Sequence, residues 1–160
     1  MNFLDLAKYH VPGFLHVDIR APEGVPVWSG ERLLAPLDTL PHEVAHLCIA
    51  SKKHRTLPDY GFGYNPDGTF YLPNFCVSEE DLEETFACRL QLALMLLNSM
   101  DISESDMSIY GPMPSRAELL EVQDYRKDAV PEALWPKLLD ILDANKTITS
   151  VAWGVQKELK

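Results

Sequence analysis

The stretch Leu37–Ser51, "LDTLPHEVAHLCIAS", decides how this chain is read. It carries the pattern H-E-x-x-H at His42, Glu43 and His46. Residues four apart share one face of a helix, so His42 and His46 can aim at a single ion. Glu43, one step round, can reach a water bound there. The surroundings suit a helix. Asp38 or Thr39 can cap its start, Pro41 is tolerated in the first turn, and Leu40, Val44, Leu47 and Ile49 supply an apolar flank that would be buried. The expected helix runs from about Leu40 to Ser51. A divalent metal, iron or zinc, would make this segment a reaction centre, with His42 and His46 as ligands and Glu43 as the catalytic carboxylate. The alternative is a surface helix with two solvated histidines, which the apolar flank disfavours.

The 160 residues fall within the range of one compact domain, so a single metal-binding domain over residues 1–160 is expected. An apolar content of 46% is ample for a core, and 24% charged residues fit a globular chain. The formal net charge of -10 would repel a phosphate backbone, which argues against nucleic acid as a partner. Against that acidic background "SKKHR", Ser51–Arg55, is either the solvated basic end of the metal helix or a docking spot for an acidic partner. The longest apolar run, "LALMLL", is too short to span a bilayer, and the opening lacks the pattern of a signal peptide. Cys48, Cys76 and Cys88, without secretory context, read as thiols of a cytoplasmic protein.

Outward from the motif, the chain alternates between strand-like and helix-like patterns, which predicts an α+β fold: the H-E-x-x-H helix packed with a small sheet and further helices. "FLHVDI", Phe14–Ile19, alternates as a strand does. "NPDG", Asn65–Gly68, is a turn signal between possible hairpin arms "YGFGY" and "TFYL". A long helix is expected from Ser78, which can cap it, with acidic first turns and a core stripe of Leu82, Phe86, Leu90, Ala93 and Leu97. Ser115 with Glu118 forms a capping-box signature, and a last helix is expected over Pro131–Asn145, with Pro136 kinking it or delaying its start. The tail from Thr149 fits a strand or a short helix.

A catalytic metal centre needs a third protein ligand. Two sources are open. If "NFCV" is extended, Cys76 faces opposite to Phe75 and Val77 and could bind the ion, or it is simply a small buried residue. Otherwise Glu79 or Glu83, flanking the face set by Leu82 and Phe86, could serve; Glu80 and Glu84 are expected to point more to solvent. His10, His16 and His54 lack partner spacing and read as ordinary surface or loop histidines.

The run "HEVAHLCIASKKHRTLPDYGFGYNPDG", His42–Gly68, resembles the metal-site segment of the bacterial elongation factor P hydroxylases. The resemblance rests on His42, Glu43, His46, Cys48, Ile49, Ala50, Lys52, Arg55, Asp59, Tyr60, Gly61, Tyr64, Pro66, Asp67 and Gly68. Weaker similarity continues through "VSEEDLEETFA" and "AVPEALWPKLLDIL", so that it extends from about Val17 to Asn145. The resemblance implies an α+β metalloprotein with a metallopeptidase-like H-E-x-x-H helix. It also implies hydroxylation of a modified lysine on elongation factor P or a similar protein factor. The family's metal is held by two histidines and a downstream glutamate. The histidines carry over to His42 and His46, but ungapped placement of Val77 and Leu82 puts Cys76 where the family has its carboxylate. A thiolate there would favour zinc over iron. Asp59, Tyr60 and Tyr64 would then shape the substrate pocket. Two other functions compete: a zinc peptidase or amidase with Glu43 as general base, and a binding protein that keeps the metal as a structural clip, with His54 or an acidic side chain closing the shell.

Overall fold

The computed structural model describes residues 1–19, 27–28, 31–50, 77–103, 106–107 and 110–145, excluding the side chains of 27 and 77–81. The fold is α+β. Its elements in chain order are α1 (Phe3–His10), β1 (Leu15–Asp18), β2 (Val27–Trp28), β3 (Arg32–Ala35), a 3-10 turn (Leu37–Thr39), α2 (Leu40–Ile49), α3 (Val77–Leu97), α4 (Arg116–Tyr125) and α5 (134–145). The chain divides into two compact units, Met1–Ala87 and Cys88–Lys160, with the boundary inside α3.

In the first unit, β3 is the central strand of a three-stranded sheet of order β1–β3–β2. It runs parallel to β1, with Leu15 opposite Arg32 and Asp18 opposite Ala35, and antiparallel to β2. The strand expected at "FLHVDI" is present as β1, but its burial does not alternate, since Leu15 is exposed; Phe14 is buried just before it and stacked on the buried Trp28 at 6.1 Å between ring centroids. His16 is not a plain surface residue, because its Nε2 lies 2.8 Å from the carbonyl oxygen of Ala35.

The sheet fixes where α2 begins. The Asp18 carboxylate accepts a hydrogen bond from the Leu37 amide at 3.0 Å, and the Ile19 amide donates to Ala35 O at 3.3 Å. The chain leaving β3 therefore turns through Leu37–Thr39 directly into α2. No side chain caps α2: Thr39 has helical dihedrals, and its hydroxyl donates to Pro36 O, so neither Thr39 nor Asp38 acts as expected. The 3-10 turn already supplies the carbonyls and amides of a preceding turn, which leaves a side-chain cap little to do. Helix α1, capped by Asn2 Oδ1 on the Asp5 amide, packs against α2 with Phe3, Leu6 and Ala7 buried.

The second unit holds the rest of α3 together with α4 and α5. The capping box at Ser115 and Glu118 is formed in both directions. Arg89 reaches Glu118 and Glu121, and Arg116 pairs with Asp143. Helix α5 begins at residue 134, so Pro136 falls in its first turn, where its missing amide costs nothing. Leu119, Val122, Leu134, Trp135, Leu138 and Leu142 are buried. Among the described residues no helix is long and apolar enough to cross a membrane, and Cys48 and Cys88 are buried thiols.

Candidate metal centre

Helix α2 is buried on nearly all sides; Leu40, Pro41, Glu43, Val44, Ala45, Leu47, Cys48 and Ile49 are all inside, and only His42 and His46 keep some exposure. Each buried aliphatic side chain contributes roughly 1.5–3 kcal/mol by leaving water, so the helix axis and the direction of both imidazoles are held by its other faces. The one-turn spacing brings the rings edge to face, with centroids 4.6 Å apart and planes at 90°. Their Nε2 atoms converge to 3.1 Å.

The group that meets them is Glu84, on α3. Its Oε1 lies 3.3 Å from His42 Nε2 and its Oε2 lies 2.7 Å from His46 Nε2. The imidazoles are 16% and 10% exposed and the carboxylate 51%, so the cluster is shielded from the α2 side and opens past Glu84. Burial alone would raise the Glu84 carboxyl, but hydrogen bonds from His42 and His46 and their charge outweigh it and hold the carboxyl well below the usual carboxylate range.

Glu43 is in the opposite state. It is 6% exposed, and among the described residues its carboxylate has no hydrogen-bond partner. Burial raises its carboxyl above the ordinary value; the charges of His46 and His42 oppose that rise, and the Glu84 carboxylate adds to it. A buried carboxyl whose proton is held more tightly than usual is suited to proton transfer.

The donor set fits a divalent metal. Bonds of about 2.0–2.2 Å to one ion place neighbouring ligand atoms roughly 2.8–3.6 Å apart. The three separations in this cluster, 3.1, 3.3 and 2.7 Å, lie within or close to that range. Two neutral imidazoles and one carboxylate are also the donor chemistry of non-heme iron centres, with positions left for water or substrate. Cys88 follows Glu84 by one turn on α3, so its thiol adds a soft donor to the same face of that helix.

The structure thus brings His42, His46 and Glu84 together with Glu43 beside them. The sequence pattern points Glu84 toward solvent, and its side chain is half-exposed, yet its carboxylate still reaches both imidazoles. Leu82, assigned to the core stripe, is 42% exposed, whereas Glu83 is buried in line with Ala87, Leu90 and Leu94. The rest of the expected stripe holds, with Phe86, Leu90 and Ala93 buried, so the departure is confined to the start of α3, where Glu83 is buried and Leu82 is not. Cys76, His54, Asp59, Tyr60, Tyr64, the hairpin around Asn65–Gly68 and the tail lie outside the described residues, as do the side chains of Ser78 and Glu79.

Residues 38–72 match the model of the elongation factor P hydroxylase family. The segment holds the whole of the H-E-x-x-H motif and the aromatic, glycine-rich run after it, and it stops before Glu84. The resemblance carried by His42–Gly68 is borne out over that span, which is 35 of the 160 residues. Nothing among curated proteins or solved structures matches the chain.

Proposed function

We propose that this protein is a metal-dependent hydroxylase acting on a side chain of another protein, with elongation factor P or a similar factor as its substrate, in the cytoplasm. The observation that carries the proposal is the convergence of His42, His46 and Glu84 on one point, from a helix that lies within the family-matched segment. Iron(II) suits two imidazoles and a carboxylate better than zinc with a thiolate would, and Glu84 supplies the carboxylate that ungapped placement leaves missing at Cys76.

His42, His46 and Glu84 would hold the ion, which when bound supplies dioxygen activation. His42 and His46 would bind the ion through their Nε2 lone pairs, and the single charge of Glu84 would offset part of the metal's. Glu43, buried and without a hydrogen-bond partner among the described residues, would accept or return a proton at its carboxylate. The packed faces of α2 exclude water from behind the histidines, so a substrate side chain enters from the open side, past Glu84. Asp59, Tyr60 and Tyr64 would shape the pocket that receives it.

The direct test is to incubate iron-loaded protein with lysine-modified elongation factor P, dioxygen and a two-electron reductant, which takes the second oxygen atom to water, and to measure the intact mass of the factor. A gain equal to one oxygen atom, absent when His46→Ala replaces the native protein, is the expected result. No gain with fully loaded protein and correctly modified factor would overturn the assignment.

A further inference from the structure

We draw no further inference here: the strongest candidate, the buried thiol of Cys88 one helical turn beyond Glu84 on α3, belongs to the donor group already described and is a lone cysteine with no second observation pointing to a ligand of its own.

Discussion

Around the metal centre, α2 is packed on every face except the one that carries His42 and His46, whereas on α3 Leu82, Glu84 and Thr85 are all exposed within a single turn. Two helices therefore contribute to one cluster under different constraints. The histidines are aimed by the packing of their own helix before any ion arrives. Glu84 is held chiefly by what it touches, namely the two imidazoles. A half-exposed carboxylate in that position gains little from its surroundings, since exposed ion pairs are typically worth no more than about 1 kcal/mol.

The contrast can be broken first through packing. Leu47→Ala removes a side chain buried in α2 and should cost about 2–5 kcal/mol of unfolding free energy in chemical denaturation. Leu82→Ala on α3 should stay within about 0.5 kcal/mol. Similar losses for the two would mean that α3 buries Leu82 after all.

A second prediction sets the carboxylates against each other. Glu43 has its folded-state pKa raised by burial, so it contributes stability that is fully present below the unfolded carboxylate pKa and is lost as pH rises through the folded value. Glu43→Gln removes that loss. Metal-stripped Glu43→Gln protein should therefore have a higher Tm than the native chain at neutral pH, and the gap should close as pH falls below the ordinary carboxylate range. A lower Tm at neutral pH would show that the native carboxylate is stabilised by a partner.

The smallest effect concerns how helices begin. Ser115→Ala breaks a capping box and should cost about 1 kcal/mol, whereas Thr39→Ala removes no cap and should cost only the hydroxyl's bond to Pro36 O, about 0.5 kcal/mol. Thermal unfolding of the two variants side by side would read the difference.

What can be read from the residues follows the same contrast. The His42–His46 pair needs only a helical spacing of four, and a local pattern is enough to place it. The Ser115 box and the delayed start of α5 are local in the same way. The third donor depends on which residues of α3 come within reach of α2, which tertiary packing decides. A buried glutamate such as Glu83 is improbable by composition, so the pattern favours Leu82 as the first anchor of α3, although Phe86, Leu90 and Ala93 are buried as the pattern has them. The absence of a cap at Thr39 is equally non-local, since β3 and its contacts with β1 deliver the chain into α2 already turned.

Everything proposed for the centre depends on Glu84 completing what His42 and His46 begin. Iron(II) or zinc titrated anaerobically into metal-stripped protein, native and Glu84→Ala, tests that role. One ion should bind per native chain, and Glu84→Ala should weaken that binding by more than the roughly 10–100-fold expected from loss of an outer-shell partner. Unchanged metal affinity in Glu84→Ala, with affinity lost instead in Cys76→Ala, would refute the role of Glu84 and move the third ligand to the thiol.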